Sequence, residues 1–274
     1  MKIARINQSK ELLIKGELIE SNIDRTRLHD NGNIETFEYI EGAKLGIKNN
    51  KLLGLELIEL AQLEMPFSPA DIPNLKMWLD ATSLNLTNGD KVETWNDLSG
   101  LNNNAIQSDY YKRPNFMTNV LNGKPVVRSW SSNGFLEFSR ITDIRTVFIV
   151  FCTLNPNVVG HIFGDYTAYD WHNGNDNGKL FAAYANAYVR NGDGRVNNVP
   201  VTVTNIINPT GGVFKSVSIR TTGNVVANTI SNDRGIANRC WVGDYAEILV
   251  YNRALTDGEI GDMNNYLMDK WGLM

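Results

Sequence analysis

Hydrophobic and polar positions alternate over short distances along most of this chain. Val147 to Phe151 is a continuous apolar run inside Thr146–Thr153, which predicts a central strand buried on both faces. Val201 to Ile207 sets Val and Ile against Thr and Asn, which predicts a strand with one wet face. The same reading gives short strands at Lys76–Leu79, Val92–Trp95, Pro125–Arg128, Phe135–Phe138, His161–Asp165, Lys179–Tyr184, Ala187–Arg190, Phe214–Arg220, Asn224–Ile230, Cys240–Val242 and Glu247–Tyr251. Turns rich in Asn, Gly and Asp separate them.

The period changes only at the end. Thr256 followed by Glu259 forms a capping box, and Ile260, Met263, Leu267 and Trp271 recur at helical spacing. Gly272 stands where a C′ glycine would stop the helix. The expected class is all-β: a two-sheet jelly roll of residues 75–274 closed by a short C-terminal helix.

Residues 1–64 carry a different pattern, a degenerate repeat of about 20 residues. Each copy is a strand, a polar turn (Asn7 to Lys10, Asp30 to Asn33, Lys48 to Lys51) and a second strand ending Ile-Glu or close to it. Lone hairpins bury little surface and are marginal in water. The expectation is therefore a docking or oligomerisation module. Its apolar positions are Ile6, Leu13, Leu18, Ile19, Leu28, Phe37, Tyr39, Ile40, Ile47, Leu57 and Ile58, completed by copies of itself or by a host surface. A small meander packed on the main domain is the alternative. Pro66, Pro69 and Pro73 mark residues 65–74 as a stiff linker.

The last 30 residues also carry a resemblance. Tyr251-Asn-Arg-Ala-Leu-Thr256, Glu259, Tyr266-Leu267 and Lys270-Trp-Gly272 are similar to the closing segment of laminin-G-like domains in the concanavalin A-like lectin/glucanase superfamily. Leu75-Lys-Met-Trp-Leu-Asp80, Asp90 to Gly100 and Asn122 to Arg128 resemble the opening half. The resemblance implies the jelly roll. It implies no single function, because that fold hosts binders, enzymes and structural modules. It also implies a structural hydrogen bond at Glu247. The N-terminal repeats resemble the anchoring segments of bacteriophage tail fibres and other virion appendages.

Composition narrows the choice. The hydrophobic fraction of 42% supports a full core, and a net charge of −4 offers no nucleic-acid footprint. No apolar stretch is long enough to span a membrane. Cys152 and Cys240 sit in apolar contexts and read as buried thiols. Met1-Lys-Ile-Ala-Arg leads into polar residues and not into a signal-peptide core, so the expectation is synthesis in the cytoplasm and location in a virion.

Candidate chemistry follows from the loops. Glycosidases need two acids across a cleft, and Glu137 and Glu247 each stand alone, so the chain reads as non-enzymatic. His29, His161 and His172 lie in no nucleophile motif. Asp170, Asn173, Asn175 and Asp176, and in another loop Asn191, Asp193 and Asn197, supply oxygen ligands that make Ca2+ a candidate, although these are also ordinary turn residues. Sugar sites combine an aromatic face with hydrogen-bonding side chains. Tyr166, Asp170, Trp171, His172, Asn173 and Asp176, with Arg190 and Asp193 on the next hairpin, make that mixture. Trp171 reads either as a stacking residue or as a packed anchor. The expected protein is thus a virion structural subunit of tail fibre, head fibre or capsid decoration. It would be a homotrimer or larger, bound to other virion proteins and presenting a lectin-like domain to host glycans. A stand-alone carbohydrate-binding module is the alternative, and a glycoside hydrolase a distant third.

Overall fold

The computed structural model describes residues 45–48, 51–55, 67–130, 133–156, 160–172, 178–232, 234–236 and 239–273. The chain divides into two compact units, Met1–Pro66 and Phe67–Met274. In the first, β1 (Leu45–Lys48) and β2 (Lys51–Leu55) pair antiparallel about the polar turn expected there, with Leu45 opposite Leu55. Of the expected docking positions, Ile47 lies in β1, opposite Leu52. Ile6, Leu13, Leu18, Ile19, Leu28, Phe37, Tyr39, Ile40, Leu57 and Ile58 lie outside the described residues.

The second unit is an antiparallel β structure. Its strands are β3 (Leu75–Asp80), β4 (Thr94–Trp95), β5 (Ala105–Ile106), β6 (Asn115–Leu121), β7 (Lys124–Ser129), β8 (Leu136–Thr153), β9 (Phe163–Gly164), β10 (Asp193–Val196), β11 (Val199–Thr202), β12 (Lys215–Ile230) and β13 (Gly243–Tyr251). The main path of pairing runs β11-β10-β12-β8-β13-β7-β6, with β3 also on β13. Two helical pieces complete the unit, the single turn α1 (Ala187–Arg190) and α2 (Asp257–Trp271). Among the described residues no helix is long and apolar enough to cross a membrane.

The burial pattern explains the sequence. From Thr146 to Thr153 every residue of β8 is buried, as is every residue of β13. Both strands need cover on two faces, and the chain supplies it from different segments. On one face, Val147 and Ile149 of β8 and Val217 and Ile219 of β12 meet Ile162, Phe163, Trp171, Leu180 and Phe181. On the other face lies α2. Its Ile260, Met263, Leu267 and Trp271 are buried, each gaining on the order of 1.5–3 kcal/mol from leaving water. Asn264 is buried on the same face, but its amide is fully used. It accepts from Ser216 and donates to Ser218 and the Ile260 carbonyl.

Both ends of α2 are fixed. Thr256 and Glu259 form the reciprocal capping box. Arg253 pairs with Glu259 and holds its carboxyl down to about 2, with help from the Thr256 N–H. Gly272 ends the helix at φ 61°, a left-handed conformation in which a side chain would be strained. There the Asn122 amide donates to the carbonyls of Trp271 at 2.6 Å and Gly272 at 3.0 Å.

Beneath the helix sits Glu247, fully buried on β13. Its carboxylate accepts from the indole N–H of Trp78 at 2.6 Å and of Trp271 at 2.7 Å, and meets the Lys270 ammonium at 2.8 Å. Lys270 also reaches Asp80 at 2.6 Å and the Tyr266 hydroxyl at 3.0 Å. Burial works against the Lys270 charge, but Glu247 and Asp80 outweigh it and hold its pKa above the ordinary lysine value. The hydrogen bond expected at Glu247 is thus one of several.

Several expectations need correction. Phe135–Phe138 and Thr146–Thr153 belong to the one long strand β8, and Phe214–Arg220 and Asn224–Ile230 to β12. Ala187–Arg190 is a helical turn, not a strand, because the Asn186 side chain caps the Tyr188 N–H. Lys179–Tyr184 forms no continuous strand and contributes isolated bridges at Lys179, opposite Ile207, and at Phe181. The expected strand Val201–Ile207 ends at Thr202 and gives way to a 3-10 turn, Val203–Asn205. The later part of the expected linker is packed. Ile72 is buried, and the Tyr251 hydroxyl donates to the Pro69 carbonyl at 2.9 Å. Cys152 and Cys240 are both buried, as expected, and burial pushes the Cys152 thiol up.

The buried cluster predicts the outcome of one substitution. Glu247→Ala strands a buried ammonium and two indole N–H groups, so unfolding in urea should show a loss of about 3–5 kcal/mol. A loss below about 1 kcal/mol would mean that Asp80 alone satisfies Lys270.

Candidate ligand-binding cleft

An open cleft of about 730 Å3 lies on the second unit. Four segments build it. β8 gives Arg145, β12 gives Arg220, Thr221 and Thr222, the turn from α1 into β10 gives Asn191, Gly192 and Asp193, and the link from β13 to α2 gives Ala254, Leu255 and Thr256.

A β-bulge creates the cleft wall. Arg220 pairs with Thr146 and Val225 with Ile144, so Thr221, Thr222, Gly223 and Asn224 stand opposite the single residue Arg145. Such bulges turn side chains away from the regular pleat. Thr221 binds Arg145 twice, its hydroxyl donating to the Arg145 carbonyl at 3.2 Å and its carbonyl accepting from Arg145 Nη2 at 3.1 Å. Gly192 forms part of the floor. A Cβ there would come within 2.5 Å of the Arg220 carbonyl oxygen, so a side chain would push the two segments apart.

Arg220 is fully engaged. Its guanidinium meets Asp193 at 2.7 Å across the β10–β12 ladder, Asp257 at 2.8 Å, and the Leu255 carbonyl at 2.8 Å. Beside the bulge lies Tyr188 of α1, half exposed. Its ring lies over Gly223, where an added Cβ would stand 2.8 Å from the ring carbons, and the Thr222 hydroxyl donates to its carbonyl at 3.5 Å.

The sugar-site residues expected from the sequence divide into three groups. Asp193 lines the cleft. Tyr166, Asp170, Trp171 and Arg190 are structural. Asp170 accepts from the Asn186 amide at 2.6 Å and the Val226 N–H at 2.8 Å, which fixes α1 against β12. Trp171 is 2% exposed, wedged between Phe163 and Phe181, with its N–H on the Val226 carbonyl at 3.1 Å. Its faces are taken by the core, so it is the packed anchor and has no face for a sugar. The Tyr166 hydroxyl donates to Glu137, and burial followed by that carboxylate keeps its pKa above the usual tyrosine value. Arg190 donates from Nε to the Ala185 carbonyl. His172 belongs to a third place. One ring nitrogen lies 2.7 Å from His161, and its ring contacts the exposed Tyr169 and Tyr184. Asn173 and Asp176 lie outside the described residues.

The Ca2+ candidates fare similarly. Asp193 is held by Arg220, and the Asn197 side chain accepts from the Ser216 N–H, so the side-chain oxygens of both are engaged. Among the described residues no three His, Cys, Asp or Glu side chains cluster to hold a metal ion. The carboxylates weighed for hydrolysis are far apart. Glu137 pairs with Thr229 near the start of β8, while Glu247 pairs with Val150 near its end, roughly 40 Å away along an extended strand.

Sequence reading missed Arg145, Arg220, Tyr188 and the threonines. One signal pointed to them: Thr221 to Asn224 is a polar, glycine-containing break between two strand patterns, which is how a bulge reads.

The division of roles is testable by paired substitutions. Trp171→Ala should lower stability by about 3–5 kcal/mol, the usual range for emptying a large core site. Asp193→Asn, on a half-open salt bridge, should lower it by about 1 kcal/mol or less. Urea midpoints that ranked the two the other way would return Trp171 to the surface.

No protein-family model matches the chain, and no curated protein matches it. Among solved structures, the chain is similar to the binding domain of Paraclostridial Mosquitocidal Protein 1, with 12% identity and a TM-score of 0.39. The match takes in 74% of this chain and spans 56% of that one. A likeness at that level carries no argument about function.

Proposed function

We propose that this chain is a non-enzymatic binding protein whose second unit, Phe67–Met274, is a laminin-G-like jelly roll that takes a carbohydrate in the cleft beside Asp193. The observation that carries the reading is the cleft itself. It is open, assembled from four segments and lined by arginine, aspartate, asparagine and threonine side chains, and the half-exposed Tyr188 packs over the neighbouring Gly223. Hydroxyl-rich ligands need that combination of converging donors and acceptors with one aromatic flank. Hydrolysis is disfavoured because Glu247 is sealed under α2 and Glu137 is bonded to Tyr166. On this reading the N-terminal unit docks and oligomerises, and the whole is a virion appendage or decoration subunit facing host glycans. The repeat pattern of residues 1–64 and the β1–β2 hairpin support that part. A stand-alone lectin would share the cleft but not the assembly.

Two measurements test it. A printed glycan array probed with the full chain should retain a small related set of sugars, and Asp193→Ala or Tyr188→Ala should weaken retention about tenfold, the scale of one buried polar or stacking contact. Retention unchanged in both variants would move the site elsewhere, with the exposed Tyr169–His172–Tyr184 surface next in line. Light scattering of the full chain and of residues 67–274 should give a trimer or larger and a monomer, respectively. Two monomers would remove the assembly role.

A further inference from the structure

Charge is unevenly matched within the cleft. Two cations and one carboxylate line it, with Asp257 alongside at the start of α2. Arg220 is neutralised by Asp193 and Asp257. Arg145 is different. It meets no carboxylate among the described residues, and its one side-chain hydrogen bond runs from Nη2 to the neutral Thr221 carbonyl. Its Nε is enclosed without a hydrogen-bond partner, and Nη1 has none among the described residues. A guanidinium has five N–H donors, and a buried or half-buried one is ordinarily satisfied. The bond from Nη2 to the Thr221 carbonyl of the bulge ties one end of the guanidinium to the cleft wall.

From this we infer that Arg145 receives an anionic group of the ligand, so that the cleft selects acidic sugars, carrying a carboxylate or a sulfate ester, over their neutral counterparts. The inference rests on the cleft being the carbohydrate site proposed above. The anion lies against the Nη1 side of Arg145, while Thr222 and Asn191 are placed for the ring hydroxyls. The charges of Asp193 and Asp257 are offset by Arg220, which lies against both, and by Arg195, which reaches Asp257 at 3.6 Å.

The test is a glycan array of matched pairs, read with the full chain: uronic-acid oligosaccharides beside their methyl esters, and sulfated oligosaccharides beside their desulfated forms. Wild-type protein should retain the acidic member of a pair roughly ten- to a hundredfold better, the range of a charge-assisted hydrogen bond. Arg145→Gln should erase that preference, and Arg145→Lys should keep part of it. The carboxylate and sulfate arms tell the two anions apart. Wild-type retention of acidic members should also fall as NaCl is raised, a readout that needs no variant. Equal retention of acidic and neutral members, or an acidic preference that survives Arg145→Gln, overturns the inference while leaving carbohydrate binding standing. Failure to retain any sugar overturns both.

Discussion

A carboxylate sealed under a helix governs how this unit is put together. Glu247 would be costly alone in the interior, since removing an ion from water is repaid only by close partners. Its partners come from two distant places in the chain: Trp78 on β3, and Lys270 and Trp271 on the last turn of α2. The strand that opens the domain, the strand near its middle and the helix that closes it therefore have to be in place together. Asp80 extends the set, binding Lys270 with one oxygen and capping the turn at Thr82 with the other. An apolar cluster of similar volume could hold the helix on the sheet. It would tolerate a shift of one turn, which a set of directed hydrogen bonds does not.

The cleft depends on the same frame from its other end. The first turn of α2 brings Asp257 to Arg220, and the last turn is bound through Glu247 to the sheet. The loop after β9 has a parallel duty. Asp170 and Trp171 fasten it to the Val226 backbone and so set where α1 lies, and α1 in turn places Tyr188 over Gly223. Residues with the chemistry of a sugar site thus do their work one step removed, by placing the residues that form the cleft.

Much of the frame was legible in the sequence, for local reasons. The capping box, the spacing of Ile260, Met263, Leu267 and Trp271, and Gly272 each encode their own geometry, and α2 has the expected bounds. The apolar run in β8 announced a strand covered twice. What could not be read depended on distant partners. Ala187–Arg190 has strand-like residues, but a cap from Asn186 and the anchor at Asp170 make it a helical turn. Trp171 could be read as a stacking residue or as a packed anchor because its neighbours in sequence are polar. Its neighbours in space are Phe163 and Phe181. Asp193 was legible as a polar loop residue, but Arg145 was not, since nothing local distinguishes it from any polar residue of a strand. Only the unequal lengths of β8 and β12 bring it to the cleft.

That inequality has a further consequence for how such a protein can change. Lys215–Arg220 pairs with Thr146–Phe151 in one continuous register, and Val225–Ile230 pairs with Leu136–Ile144 through two further register shifts, each stretch with its own buried side chains. The segment between them belongs to neither register. Residues could be exchanged, added or removed from Thr221 to Asn224 without sliding either ladder by a position, and so without turning core side chains out to water. The wall of the cleft is therefore the part of this sheet most free to vary, and its lineage could acquire new ligands while the fold stays fixed.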